Sequence, residues 1–361
     1  MKKSIIFAAL AALVLASCAK NEVARDNRED NAIAFSTYNP RTVTRANNTY
    51  VSGADFTGSG NQHIGVYAWY LASGQFQGTE TAGFLNNEDV TLKTNGTEAS
   101  DDYNVQYWPA DAVGAPTYAK CISFAAYYPY NDAAITAKPE KGLGTYTFKV
   151  DADPAKQTDF MVADVEPDMV KPADATVGFT FHHMLTKVQF YMKSDVAAGT
   201  AIKVKSLKLA GVNTTGTLTT AYTKADGKTS YTWSAQATPA EFTIVGADFD
   251  LTSTEAKLTA DSDTYTFLML PQTLADAAVL TLVYEVKTGT NDAVQNTKTV
   301  KINTAKVGTD ALTAWAANQN IKYSFKIGNA SGGDTDSDLV PIKFKADVAE
   351  WDAEKNATVT F

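Results

Sequence analysis

Short runs of alternating apolar and polar residues make up most of the chain from residue 46 onward, separated by clusters of Gly, Asn, Asp, Thr and Pro. Since successive side chains of a β-strand point to opposite faces of a sheet, this alternation predicts half-buried strands. A helical pattern is rare, and we expect a helix only at residues 309–317, where Thr309 is placed to cap the first turn. The predicted strands lie at residues 63–70, 121–128, 144–150, 160–165, 202–209, 265–270, 280–286 and 321–327.

Many short strands with turn signals and few helices are typical of an all-β protein built from antiparallel β-sandwiches. The chain has 361 residues, and at this length two tandem sandwich domains fit better than one. A polar stretch bracketed by Pro167 and Pro172 marks the boundary between them. We therefore predict an N-terminal domain at residues 46–173 and a C-terminal domain at residues 174–330, followed by a linker and a terminal segment at residues 331–361.

Two further strands are predicted close to the ends of the chain. In residues 31–38, Ile33 and Phe35 fall on one face, and Asn39-Pro40 then signals a turn. The polar sequence SGGDTDSD at residues 331–338 predicts a flexible acidic linker. A calcium loop is the less favoured alternative, because the glycine and the distal glutamate of such a loop are missing. The strand after this linker is able either to fold back onto its own domain or to reach a neighbouring molecule. Its terminal apolar face consists of Val340, Ile342, Phe344, Ala346 and Val348.

Residues 1–17 have the three parts of a secretory signal: a basic start, an apolar run and small residues at the end. The apolar run is about half of the ~20 residues that a membrane-spanning helix needs, so we predict a removable signal peptide. The sequence LASC at residues 15–18 resembles a lipobox, which predicts cleavage before Cys18 and attachment of acyl chains to its thiol. An ordinary signal peptide with a chance cysteine is the alternative. Residues 18–45 then form a lipidated propeptide that carries the first strand.

The four arginines of the chain all lie in its first 45 residues, at Arg25, Arg28, Arg41 and Arg45. Such segregation fits exposure to an arginine-specific protease, because the folded body then carries no competing cleavage site. The alternative is a lineage bias toward lysine, with arginines retained in a tolerant tail. Cleavage after Arg45 releases the predicted strand at residues 31–38 together with the anchor. A strand that leaves a sheet exposes an apolar groove and two edges, which another segment must fill.

The composition argues against several classes of function. The 40 acidic residues against 31 basic ones give a formal charge of −9, whereas a nucleic-acid binder needs a basic face. Three histidines and two cysteines leave little material for a zinc site or a Cys/His nucleophile, and no carboxylate pair stands in a recognisable catalytic motif. We therefore predict that the chain is not an enzyme and has no catalytic residues, no metal, no cofactor and no nucleic-acid partner.

Some residue types that often mark sites are better explained by packing. Cys121 lies in an apolar run and is predicted to be a buried structural thiol. His182 and His183 are adjacent on a predicted strand and therefore point to opposite faces, which prevents them from binding one metal ion. A packed, hydrogen-bonded His183 is favoured. The aromatic groups at residues 67–70 and 127–130 are interpreted as core and cross-strand packing, with a carbohydrate platform as the alternative.

Several motifs resemble those of the fimbrillin family, the lipoprotein subunits of type V pili. The resemblance covers nearly the whole chain, and its strength lies in the order of the motifs. They are the lipobox, IAFS at residues 33–36 followed by TRA at residues 44–46, FHHMLTKV at residues 181–188, LPQ at residues 270–272, the run from Trp315 to IKYSF at residues 321–325, and the terminal strand around Trp351.

The resemblance implies a transthyretin-like pilin or tip subunit of a fimbrium, located at the cell surface and supporting cell adhesion. It also implies export as an outer-membrane lipoprotein and cleavage after Arg45 by an arginine-specific protease, which leaves Ala46 as the new N-terminus. Arg41 is the second candidate for cleavage. The emptied groove then accepts the terminal apolar face of another fimbrial subunit. The alternative function is that of a non-polymerising surface lipoprotein that acts as an adhesin or a glycan-binding module.

Overall fold

The computed structural model describes residues 33–38, 62–92, 106–108, 120–171, 176–245, 248–258, 266–307, 309–328 and 342–350. Within these ranges the regular structure is almost entirely β-strand, with two three-residue 3-10 turns at Pro154–Lys156 and Ile302–Thr304. Neither turn, nor any other described part of the chain, forms a helix that could span a bilayer.

The strands follow one another closely along the chain. Those before residue 200 are β1 (Ala34–Tyr38), β2 (Gln62–Leu71), β3 (Leu85–Leu92), β4 (Cys121–Tyr128), β5 (Ile135–Ala137), β6 (Gly144–Lys149), β7 (Met161–Ala163), β8 (Glu166–Met169), β9 (Thr176–His183) and β10 (Thr186–Asp195). Those that follow are β11 (Thr200–Thr223), β12 (Lys228–Val245), β13 (Phe249–Leu251), β14 (Ala256–Lys257), β15 (Phe267–Met269), β16 (Gln272–Thr273), β17 (Val279–Thr288), β18 (Val294–Lys301), β19 (Lys306–Val307), β20 (Asp310–Ala311), β21 (Ala314–Trp315), β22 (Gln319–Gly328) and β23 (Ile342–Glu350).

The first sheet has the strand order β1-β9-β7-β4-β2-β3, and β8 also pairs with β4. All of its described pairs are antiparallel except that of β1 with β9, which run parallel. Strand β4 is buried at every residue from Cys121 to Tyr127. Because successive side chains alternate between faces, burial of the whole strand means that both faces of this sheet are covered.

The described strands also form two further large sheets, of five and seven strands, and two small sheets, β16-β21 and β19-β20. The second sheet has the order β14-β10-β22-β23 with β15 beside β10, and the third has the order β18-β17-β11-β6-β5 with β12 and β13 beside β11. Strand β11 pairs first with β17 and farther along with β6, and β9 pairs with β7. Strand pairing therefore crosses residue 173, and the division into two domains at that point stays a prediction.

Two hydrophobic clusters lie on opposite faces of the first sheet. On β4, Phe124 belongs to the smaller cluster and Tyr127 to the larger one. The larger cluster takes in residues of all three large sheets, among them Tyr67, Val188 and Leu209. The core thus lies between packed sheets whose strands are mostly antiparallel, with β1–β9 and β10–β22 as parallel pairs. The predicted all-β sandwich architecture is confirmed.

The predicted helix at residues 309–317 is wrong, because these residues form the short strands β20 and β21. The indole Nε1 of buried Trp315 donates a hydrogen bond to the hydroxyl of Tyr323 at 2.8 Å. The backbone N–H of Leu274 donates to the carbonyl of Thr313 at 2.8 Å. Contacts with distant segments supply hydrogen-bond partners here, and they override a weak local preference for helix.

Candidate functional site

Strand β1 lies at an edge of the first sheet, and among the described strands it pairs with β9 alone. The register runs from Ala34 opposite Thr176 to Tyr38 opposite Thr180. Parallel ladders are slightly less stable per residue than antiparallel ones, and this is the parallel pair of an otherwise antiparallel sheet. Of the strand predicted at residues 31–38, the structure describes Ala34–Tyr38 as a strand. Among the described strands, β1 has one ladder, the five-residue pairing with β9.

Two side chains attach β1 and its preceding residue to the core. Ile33 and Phe35 are each only 1% exposed and belong to the smaller hydrophobic cluster. The Phe35 ring stacks on Phe179 with centroids 5.8 Å apart and meets the edge of Phe124 at 5.9 Å. The backbone N–H of Ile33 donates to the carbonyl of Gln106 at 2.9 Å. The spacing of two residues lets both side chains reach the same apolar floor.

The free energy that holds β1 in the sheet is small enough for the strand to dissociate once the chain has been cut. Full burial of a large apolar side chain contributes about 1.5–3 kcal/mol, so Ile33 and Phe35 together contribute about 3–6 kcal/mol. Removal of the strand would expose Phe124, Phe179 and the edge of β9. An exposed apolar floor beside an unpaired strand edge is a site for addition of another β-strand.

The C-terminal strand β23 forms an edge of the second sheet and pairs antiparallel with β22 over nine residues. Four positions of its predicted terminal apolar face lie opposite buried residues of β22, so the strand completes the sheet of its own chain. The pairs are Ile342 with Ile327, Phe344 with Phe325, Ala346 with Tyr323 and Val348 with Ile321. Val340 lies outside the described residues.

Three other predicted features also lie outside the described residues. They are the lipidation residue Cys18, the processing residues Arg41, Arg45 and Ala46, and the linker at residues 331–338. Their roles remain predictions from the sequence. The described part of the proposed exchange site consists of β1, the strands beneath it and β23.

A charged cluster joins the first sheet to the long β11–β12 hairpin. Asp164 accepts from the hydroxyl of Tyr231 on β12 at 2.9 Å and lies 2.8 Å from Nε2 of His182 on β9. Burial alone opposes ionisation of Asp164, but these contacts with His182 and Tyr231 hold its pKa below the ordinary value. Burial, and then the charge of Asp164, raises the pKa of Glu166 to about 7. Sequence reasoning missed this cluster because Asp164 and Tyr231 are 67 residues apart.

The two adjacent histidines contact different acids. His183 Nδ1 lies 2.9 Å from Asp159 Oδ2, and both side chains are almost completely buried. His182 instead faces Asp164 on the half-exposed side of the strand. Among the described residues, no three His, Cys, Asp or Glu side chains are grouped in a way that would hold a metal ion.

Most of the aromatic residues considered as a carbohydrate platform lie in the core. Tyr67, Trp69 and Tyr127 are at most 2% exposed, and burial raises the pKa of Tyr67 to about 12. Tyr70 is 41% exposed and lies 6.4 Å from the partly buried ring of Phe84. The thiol of Cys121 is buried.

Comparison with known proteins assigns this architecture to a family. The model of the fimbrillin-like family matches residues 44–351. The chain belongs to the fimbrillin-like family. This family contains fimbrial subunits and related cell-adhesion proteins.

Two relatives illustrate how far the likeness extends. The fimbrium subunit Fim1C of Phocaeicola vulgatus is 28% identical over 281 residues, which cover 72% of this fimbrillin-like chain and 69% of that protein. The crystal structure of a fimbrial protein from Bacteroides vulgatus is 20% identical, with a TM-score of 0.61, and the match covers 89% of this chain and 99% of that one. The second comparison shows a shared fold.

Proposed function

We propose that this chain is a structural pilin or accessory tip subunit of a type V fimbrium, assembled by strand exchange and supporting cell adhesion. In this proposal the precursor is exported as a lipoprotein acylated on Cys18 and held in the outer membrane. An arginine-specific protease then cuts after Arg45, with Arg41 as the second candidate. Ala46 becomes the N-terminus, and the released segment carries β1 and the lipid anchor away together.

The observation that carries the proposal is the position of β1. It is an edge strand that places Phe35 in the core, next to the buried side chain of Ile33, the residue before it. Both lie outside the stretch of residues 44–351 that matches the family. The family match begins one residue before Arg45. The position of this edge strand before the common body of the family supports removal of the strand during maturation.

The C-terminal strand of another subunit, inserted through its terminal apolar face, is the proposed replacement for β1. Its residues Ile342, Phe344 and Val348 are large enough to contribute about 1.5–3 kcal/mol each on full burial, before the cost of ordering the strand. Main-chain hydrogen bonds along the groove add geometric specificity. Because donor and acceptor are different parts of the surface, each insertion leaves one of each available, and the assembly propagates as a filament.

Treatment of the folded precursor with an arginine-specific protease tests this function. We expect a ladder of polymers that survives SDS without boiling, and we expect Arg45→Ala to abolish the ladder. Arg41→Ala is the matched control and should retain it. If the precursor, cut cleanly after Arg45, remains a monomer at concentrations where polymers are sought, polymerisation is not its function.

One observation favours a second function, that of a non-polymerising adhesin or glycan-binding module. Strand β23 already pairs with β22 of the same chain over nine residues, so the proposed donor strand is part of its own subunit's sheet. This alternative predicts that β23 stays in place after cleavage and that the uncleaved lipoprotein binds its ligand saturably. A glycan array probed with the monomeric precursor, together with the polymer ladder, separates the two functions.

A further inference from the structure

The N-terminal and C-terminal edge strands share a short sequence pattern. Around β1 the chain reads Ile33-Ala34-Phe35, and at the start of β23 it reads Ile342-Lys343-Phe344. In both strands a branched aliphatic residue comes first and a phenylalanine follows two residues later. Since residues two apart on a strand lie on the same face, each strand offers the same pair of side-chain types in the same order along the chain.

The groove under β1 has different surroundings for the aliphatic side chain and for the phenylalanine. The ring of Phe35 fits between Phe179 and Phe124, at centroid distances of 5.8 and 5.9 Å. Ile33 lies one strand repeat earlier, where its backbone N–H donates to the carbonyl of Gln106. The aliphatic site therefore precedes the aromatic site in the direction in which both β1 and β9 run.

Resting on the strand exchange proposed above, we infer that Ile342 and Phe344 of a second copy occupy the sites of Ile33 and Phe35, with the incoming strand parallel to β9. The register of β1 then transfers directly to the donor strand. Its expected pairs are Lys343 with Thr176, Phe344 with Val177, Lys345 with Gly178, Ala346 with Phe179 and Asp347 with Thr180.

The order of the side chains decides between the two possible directions. An antiparallel donor with Phe344 in the Phe35 site would bring Ala346 to the Ile33 site and leave that site largely empty. Antiparallel pairing is slightly more stable per residue, but an unfilled apolar site opposes that advantage. The parallel direction fills both sites with residues of the same type as those that β1 supplies.

The polar residues of the donor are compatible with this register. Lys343 and Lys345 would take the register positions of Ala34 and Ser36, opposite Thr176 and Gly178. Thr176 is half-buried and Gly178 is exposed, so this side of β9 faces water. A lysine at either position keeps its ammonium group in water, so insertion of the donor strand buries no lysine charge.

The inferred exchange reverses the direction in which β23 pairs. At home, β23 is antiparallel to β22, with Phe344 opposite Phe325. In the neighbouring subunit it would be parallel to β9, with Phe344 opposite Val177. A cross-link between β23 and β9 therefore reports the exchanged strand and not the strand in its own sheet.

Disulfide trapping tests the register. The double variants Thr176→Cys/Lys343→Cys and Thr176→Cys/Lys345→Cys are cleaved after Arg45, allowed to assemble and oxidised. Paired residues on neighbouring strands lie within the Cα distances that a disulfide spans, whereas a shift of two residues moves the partner about 7 Å along the strand. We expect at least tenfold more covalent ladder, resistant to boiling in non-reducing SDS, from the Lys343 variant. The parent protein controls for the native thiol of Cys121.

Each other outcome contradicts a different part of the reasoning. A covalent ladder from the Lys345 variant in place of the Lys343 variant overturns the parallel direction. SDS-resistant polymers that neither variant cross-links overturn the register while leaving strand exchange intact. If the parent protein forms no polymer at all, strand exchange itself fails, and the register fails with it.

A peptide competition provides a second measurement. A synthetic peptide of residues 31–38 should occupy the emptied groove of the cleaved protein and block entry of the donor strand. We expect it to inhibit polymerisation at least tenfold more strongly than the same peptide with Phe35→Ala. Equal inhibition by the two peptides would contradict the assignment of the aromatic site.

Discussion

Replacing Phe35 by alanine in the full-length precursor should release β1 from β9. Phe35 is 1% exposed and packs against Phe179 and Phe124. Truncation of a buried phenylalanine to alanine typically costs about 3–5 kcal/mol. This is comparable to the ~3–6 kcal/mol that Ile33 and Phe35 together contribute to the attachment of β1. The variant should therefore populate a form in which β1 is detached while the rest of the fold persists.

Hydrogen exchange measured by mass spectrometry detects this detachment. Amides of β9 between Thr176 and Thr180 that are protected by pairing with β1 should exchange roughly 10²–10³-fold faster in Phe35→Ala, since about 1.4 kcal/mol corresponds to a factor of ten. Phe344→Ala is the matched control, because the same truncation in β23 leaves β1 in its groove. It should leave the protection of β9 at the parent level.

The result that refutes this reasoning is unchanged protection of residues 176–180 in Phe35→Ala. The ladder of β1 on β9 would then be held by something other than the buried ring. The assignment of the Phe35 position as the aromatic site, on which the inferred register depends, would then be wrong. Loss of protection across all sheets would instead mean that Phe35 supports the whole fold and that β1 is not separately detachable.

Three further outcomes are expected. Gly65→Ala should destabilise the fold by about 1–3 kcal/mol in urea unfolding, because the added Cβ would lie 2.1 Å from the Tyr127 ring, whereas Gly83→Ala, with its nearest atom at 4.0 Å, should be near neutral. Tyr231→Phe should lower stability by about 1 kcal/mol, since it removes the hydrogen bond to half-exposed Asp164, as measured by the urea midpoint at pH 7. The pKa of Glu166 in the folded protein is raised to about 7 from an ordinary 4.5. Between these pH values the folded protein keeps a proton on Glu166 that the unfolded chain has lost, so the free energy of unfolding falls as pH rises. Glu166→Gln should therefore be more stable than the parent at pH 8, with a smaller difference at pH 5, and equal pH dependence of the two urea midpoints would contradict this sign.

The local pattern of residues was enough to predict many of the strands and the shared face of two side chains near the N-terminus. Alternation in residues 31–38 placed Ile33 and Phe35 on one face, and the structure buries both. Alternation at residues 321–327 likewise agrees with the buried and half-buried positions of β22. The helix at residues 309–317 failed because its weak pattern lacked an apolar face strong enough to compete with pairing to β16 and β19.

The tertiary structure decided which strands meet, in which direction and across which boundary. The alternation of a strand is the same whether it pairs parallel or antiparallel, so the sequence pattern carried no sign of the parallel attachment of β1 to β9. Nor did any local signal place Asp164 beside Tyr231 or carry β11 across the predicted domain boundary to β6. A period of two is a property of one short segment and is legible in the sequence. The choice of a neighbour depends on contacts between residues far apart in the chain, and these exist only once the sheets have packed.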